Sequence, residues 1–221
     1  MAADLPETHT PPLGQAWLTP FYDGVVRIMT REAVWRRAVI GALNPQPGQR
    51  VLDIGSGTGS LAVALHAAEP RLHYVGIDPD AHAVRRARAK AARAGVPARF
   101  TEGFFDPDAD YFPHPPDAIV SCLVLHQVPL AEKRRILTGA FRALAPGGRT
   151  VIGDFGRQPG PAMRMAYFLL VQLVDGLADT GPNAQGILPD LLAEAGFGAI
   201  KTGPVIRTPT GAISLLCARK S

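Results

Sequence analysis

The chain has 221 residues, of which 47% are hydrophobic and 19% charged, enough apolar side chain for a real core and too little charge for a wholly disordered protein. Lys and Arg (23) exceed Asp and Glu (19) by only four. The densest basic run (Arg85, Arg86, Arg88, Lys90, Arg93) has the spacing of one wet helix face, which argues against a nucleic-acid surface. The two cysteines, Cys122 and Cys217, sit in apolar runs without CxxC spacing, so neither a disulfide scaffold nor a zinc site is expected.

Residues 1–13 are polar and Pro-rich and read as a mobile tail. They lack the apolar stretch of a signal peptide, and the longest apolar run, 166–174, contains Gln172 and is too short to span a bilayer, so a cytoplasmic protein is expected. Over 14–46 a helical cap is expected. Its apolar residues from Val25 to Leu43 recur at helical spacing until Asn44-Pro45-Gln46-Pro47-Gly48 stops them.

From residue 47 on, strands alternate with helices. Strands are predicted over 50–54, 72–77, 98–101, 117–125 and 150–154, and helices over 60–68, 81–94 and 130–144. This alternation predicts an α/β fold with a parallel sheet covered on both faces and a ligand site at the strand C-termini. The alternation then breaks. One apolar helix is predicted over 161–177 within a lid insertion at about 156–186, and a second helix over 187–195. Two β runs follow, 200–207 and 212–218, around Thr208-Pro209-Thr210-Gly211, a hairpin signal that makes the end of the sheet antiparallel.

The first motif is Val51-Leu52-Asp53-Ile54-Gly55-Ser56-Gly57-Thr58-Gly59-Ser60, a strand, a glycine-rich turn and a helix start. Glycines at 55, 57 and 59 let backbone approach a ligand and adopt positive φ, and the helix start offers free N–H groups. Asp53 would repel a diphosphate but suits a ligand carrying an ammonium and a sulfonium, which points to S-adenosylmethionine. The second motif is Val75-Gly76-Ile77-Asp78-Pro79-Asp80. Asp78 ends the second strand 23 residues beyond Gly55, where a carboxylate can take both ribose hydroxyls, while Asp80 suits a helix N-cap.

With VLDIGSGTGS, VGIDPD, DAIVSCLVLHQV and ALAPGGRTVIGDFG in this order, the chain resembles a class I S-adenosylmethionine-dependent methyltransferase of the small UbiE-like group, from about Pro47 to Ser221. The resemblance implies a Rossmann-like, doubly wound, seven-stranded sheet of order 3-2-1-4-5-7-6 with an antiparallel last strand and a helical cap. It also implies methyl transfer from S-adenosylmethionine, leaving S-adenosylhomocysteine.

By the same resemblance, Asp53, Gly55, Ser56, Gly57 and Gly59 line the methionine part of the donor, Asp78 takes the ribose, and Pro79 lies near the adenine. Where the family commonly has Gly-Asp-Ala, this chain has Gly103-Phe104-Phe105, so the adenine contact falls to Phe104 and Phe105, to backbone, or to Asp106. Ser121 and Leu123 are expected against the donor, and Tyr22 near its carboxylate.

The catalytic candidates are His126 and Asp154. His126 is read as a general base, a donor or acceptor contact, or a loop anchor. Asp154, ending the fifth strand, is read as orienting the acceptor or a water. Met163, Tyr167 and Phe168 either line an apolar acceptor pocket or pack on the core. The fourth strand lacks an Asn/Asp-Pro-Pro-Tyr tetrapeptide, which disfavours base and Gln amino groups as targets, and no metal-ligand set is present.

The acceptor is therefore expected to be a small aromatic or lipophilic metabolite. The competing readings are a donor-binding protein without catalysis and an NAD-dependent oxidoreductase. Monomer and homodimer both stay open.

Overall fold

A computed structural model describes residues 30–221. The expected tail, Tyr22 and the first part of the cap lie outside the described residues. The described chain begins with helix α1 (Glu32–Leu43), then β1 (Arg50–Ile54), α2 (Ser60–Ala68), β2 (His73–Asp78), α3 (Ala81–Arg93) and β3 (Arg99–Glu102). It continues with β4 (Ala118–Cys122), a short 3₁₀ turn (Leu125–Gln127), α4 (Leu130–Ala143) and β5 (Arg149–Phe155).

The seven strands form one sheet of order β3-β2-β1-β4-β5, followed by β7 (Gly211–Arg219) and β6 (Gly198–Thr208). β1 to β5 pair in parallel; β7 runs antiparallel to both β5 and β6. This is the order the family resemblance implies.

Alternation within the strands decides which helix covers which face. Val51 of β1 joins Trp35, Val39, Leu61, Leu65, Val84 and Ala87 from α1, α2 and α3 on one side. Leu52 and Ile54 join Ile136, Leu137 and Ala140 of α4, with Leu188, Leu191 and Leu192, on the other. Asp53 lies between them in sequence and so falls on the α1–α3 side. The parallel strands end at one edge of the sheet, and there the glycine turn leaves β1 while β4, its other neighbour, exits on the opposite side of the strand-order switch.

The region after β5 departs from the single helix expected over 161–177. α5 (Pro161–Tyr167) passes into a wide π turn (Phe168–Gln172) and a last turn ending at Asp175. Gly176, at φ +87°, then breaks the helix, and α6 (Leu177–Gln185) begins. α6 contains Gly181 and Pro182, which read as breakers in the sequence. Tertiary ties override that propensity: Asn183 Nδ2 donates to Phe155 O at 3.1 Å, and Gln172 Nε2 to Thr180 Oγ1 at 3.2 Å.

α7 (Leu188–Glu194) then leads into the hairpin. β6, an edge strand, is longer than expected and carries two register irregularities, between Gly198 and Lys201 and between Thr202 and Val205. Such irregularities discourage edge-to-edge pairing.

Candidate active site

The glycine turn is fastened to β2. Gly55 N–H and Ser56 N–H both donate to Ile77 O, at 2.8 and 3.0 Å, and Gly57 N–H donates to Asp78 Oδ2 at 2.8 Å. Gly55, Gly57 and Gly59 have φ of +74°, +52° and +71°. The three differ in what surrounds them. A Cβ on Gly59 would lie 2.8 Å from Ala87 Cβ, so this glycine is needed for helix–helix packing. Among the described residues a Cβ on Gly57 would meet nothing within 4 Å, so there the backbone borders open space. A Cβ on Gly55 would lie 2.1 Å from Val124 Cγ2, which makes Val124 one wall of the turn. Gly76, part of the second motif, has a packing reason too: a Cβ there would meet Ser56 Cβ at 2.7 Å.

Two acids flank this turn. Asp53 is buried, and its Oδ2 accepts a hydrogen bond from the Tyr74 hydroxyl. Among the described residues its Oδ1 has no partner, and neither has the buried Oγ of Ser56. Burial pushes the Asp53 carboxyl up to about 7, and Asp78 adds to this; the Tyr74 hydrogen bond and the Arg36 charge work the other way. Asp78 also accepts from Asp80 N–H at 2.9 Å, while Asp80 caps α3 by accepting from His82 N–H at 2.7 Å.

Across the switch point, the loop after β4 is shaped by Asp154. This fully buried carboxylate accepts Val124 N–H (3.0 Å) and Leu125 N–H (2.7 Å) on Oδ2, and Phe155 N–H (2.7 Å) and His126 Nδ1 (2.7 Å) on Oδ1. The loop opens with Leu123 at φ +58°, a strained conformation for a side-chain-bearing residue, held by its N–H donating to Gly153 O at 2.9 Å.

A sequence model described as a methyltransferase domain matches residues 52–150, the part from β1 to the start of β5. The chain is similar to the demethylmenaquinone methyltransferase of Thermus thermophilus, with 31% identity over 78% of this chain and 80% of that one. It is similar to the protein of the same name from Deinococcus radiodurans, with 32% identity over 79% and 74%. Among solved structures, the S-adenosylmethionine-dependent methyltransferase SibL superposes with a TM-score of 0.62 at 25% identity, covering 90% of this chain. This chain spans 57% of that longer one.

The chain belongs to the class I S-adenosylmethionine-dependent methyltransferases, in their UbiE-like group. It uses S-adenosylmethionine as methyl donor. The residues present fit that donor. An unpartnered buried carboxylate oxygen on Asp53 suits an ammonium group, and the open side of Gly57 leaves room for a ligand against the backbone.

The remaining residues named from the sequence divide between exposed and buried positions. Pro79 and Phe104 are exposed beside the turn, Phe104 by 68%. Phe105 instead turns inward, is buried, and stacks on Tyr111 at 6.3 Å, so of the two rings only Phe104 is exposed. Ser121 is buried and donates to Ile54 O at 3.0 Å, tying β4 to β1.

Met163 and Phe168 are partly exposed on the lid. Tyr167 is fully buried, its ring 5.0 Å from that of Phe155, and has no surface to offer an acceptor. Asp154, with both oxygens occupied, sits behind the loop rather than in front of it. The lid does carry an apolar face: Met165, Leu169, Leu170, Leu173, Val174 and Leu177 are each between 45% and 59% exposed.

Lys133, Asp175 and Tyr74 escaped the sequence reading; each acts on a residue far away in the chain, with no local pattern to mark it. An open groove of about 560 Å³ lies at the opposite edge of the sheet, by the first residues of β1, β2 and β3. It is remote from the glycine turn, and its arginines are engaged, Arg50 by Asp117 and Arg99 by Tyr111 O.

Proposed function

We propose that this methyltransferase methylates a small lipophilic ring system, with a quinol the first candidate. One observation carries the acceptor class: the lid beside the β4 loop exposes six large apolar side chains, an arrangement that favours an apolar molecule over a polar polymer. Both relatives named above are called demethylmenaquinone methyltransferases, which supports the same class. Within the basic run of α3, Arg88 and Lys90 are tied to the protein's own oxygens. Arg88 donates to Phe100 O at 2.7 Å, and Lys90 reaches Thr58 Oγ1 at 2.9 Å. This supports a small-molecule acceptor over a nucleic acid. Among the described residues no helix is long and apolar enough to cross a membrane; within this reading the cytoplasm is the compartment.

The donor supplies a methyl group on a sulfonium, open to in-line displacement by a nucleophile. In this reading Asp53 holds the donor ammonium and Asp78 the ribose hydroxyls. Gly55, Ser56, Gly57 and Gly59 form the backbone cradle, Leu123 and Ser121 its floor, and Pro79 with Phe104 flanks the adenine. Catalysis then comes mainly from alignment and exclusion of water.

His126 is not assigned as the base. Burial opposes its charge, but Asp154 and Asp175 outweigh burial and hold the imidazolium up to about 9, so near neutral pH it has no lone pair for a proton. An acceptor that ionises readily, or attacks through an electron-rich ring carbon, needs no such base. Transfer of labelled methyl from S-adenosylmethionine to a demethylmenaquinol analogue, against a polar catechol and a peptide, tests this reading. Labelling of the quinol alone supports it, and labelling confined to the peptide contradicts it.

A further inference from the structure

Three polar groups are buried behind the loop that follows β4: Asp154, His126 and Lys133. Together their polar contacts reach the β4 loop, β5 and the lid. His126 presents Nδ1 to Asp154 Oδ1 at 2.7 Å and Nε2 to Asp175 Oδ2 at 3.5 Å, at the end of the helical turn that follows the wide one. A ring facing carboxylates with both nitrogens is best matched as a doubly protonated cation. Lys133 is fully buried, and its ammonium donates to Leu125 O, to Val128 O at 2.7 Å and to Asp179 O of α6 at 2.8 Å. Its three protons thus meet three carbonyls, two in the floor loop and one in the lid. The same floor loop carries Val124, the wall against Gly55, and Asp154 holds the Val124 N–H as well as the His126 ring.

We propose that Asp175 is a positioning residue for methyl transfer: through the His126 ring and the Asp154 carboxylate it joins the lid to the wall of the donor cradle, with Lys133 as a second tie. Lid and cradle then order together, and releasing the lid loosens the donor side. The part concerning the donor rests on the cradle assignment made above; the tie between loop and lid does not.

The charge on the ring is set by everything packed around it. Asp154 faces it from β5 and Asp175 from the lid, while the Phe155 ring lies edge-on at 4.9 Å. Lys133 of α4 faces Asp154, Asp179 of α6 faces Lys133, and the Tyr167 hydroxyl of α5 faces both Asp154 and Asp175.

The test is Asp175→Asn in the full chain, read by amide hydrogen exchange at pH 7 and by calorimetric titration with S-adenosylhomocysteine. Exchange over 173–185 and over 123–128 is expected to accelerate at least tenfold, with little change in α2 and α3, and affinity to fall several-fold. Asp175→Glu is expected to restore part of both. Unchanged exchange over 173–185, or acceleration there with none over 123–128, overturns the proposal. If the wild type fails to bind S-adenosylhomocysteine, the cradle assignment falls, while the exchange result still decides the tie.

Should Asp175→Asn not fold, the wild type gives the answer through the His126 ring signals in NMR. Titration well above the ordinary histidine range, with exchange over 173–185 (corrected for its intrinsic pH dependence) rising in the same interval, supports the tie. Titration in or below the ordinary range overturns it.

Discussion

The Tyr74 hydroxyl donates to the Asp53 carboxylate between adjacent strands, and among the described residues this is the single hydrogen bond from a side chain that Asp53 receives. One oxygen is thereby fixed and the other left without a partner in a buried place. Because burial pushes the carboxyl up to about 7, Asp53 is partly protonated near neutrality, and an ammonium bound beside it favours the ionised form. Affinity for S-adenosylhomocysteine is therefore expected to decline below pH 7, approaching tenfold per pH unit. Tyr74→Phe removes a bond that favours the charge and shifts this decline to higher pH. Calorimetry between pH 5.5 and 8.5 checks both; affinity independent of pH for both proteins contradicts the contact.

The three glycines of the turn are expected to separate stability from binding. Gly59→Ala forces a Cβ against Ala87 and Phe100 at positive φ and is expected to cost about 2–4 kcal/mol of stability. Gly57→Ala meets open space, so only the backbone term of about 1 kcal/mol applies, while the added methyl intrudes on the ligand side. Thermal denaturation with parallel ligand titration distinguishes them: Gly57→Ala is predicted to keep most of its stability and lose donor affinity. The reverse order contradicts the assignment of Gly57 to the cradle.

These features were unevenly legible in the sequence. The strand–glycine–helix turn and the acid ending β2 are local patterns, and the structure joins them through the Gly57–Asp78 hydrogen bond. Gly76 and Tyr74 lie in a readable strand, but their partners Ser56 and Asp53 become neighbours only once β1 and β2 pair in register. Lys133 reads as one more charge on an amphipathic helix; nothing nearby marks it as the one that points inward. α6 was hidden because Gly181 and Pro182 oppose helix locally, and what holds them is Asn183 on Phe155 O, a contact between distant segments. Asp154 was visible as the acid ending β5, yet only the folded loop reveals that four donors already converge on it.

Stability at alkaline pH follows from His126. Its folded value, about 9, lies above the 6.5 of an ordinary histidine, so the contribution is complete below the unfolded value and is lost as pH rises through 9. The loss is on the order of 3 kcal/mol between pH 6.5 and 9.5. Burial lowers the Lys133 ammonium to about 8, which acts in the opposite direction over the same interval, so urea denaturation is read as the difference between the wild type and His126→Gln, and that difference is expected to shrink by this amount. Parallel profiles in the two proteins contradict the charged pairing.

Lys133→Met preserves the length of the buried side chain and removes its charge. Three carbonyls, Leu125 O, Val128 O and Asp179 O, then lose their donor inside the protein. A cost of about 3 kcal/mol is expected, since stranded buried acceptors outweigh the relief of an uncharged side chain. A variant as stable as the wild type in urea would show that these carbonyls find other donors.

In the proposed site the cradle between β1 and β2 grips an adenosyl donor through Asp78. Titration of S-adenosylhomocysteine into the wild type and Asp78→Ala, at one pH and with folding verified, tests it most directly. Clear binding to the wild type and a loss of about 1.5–3 kcal/mol in the variant are expected. Equal affinity in the two proteins would contradict it.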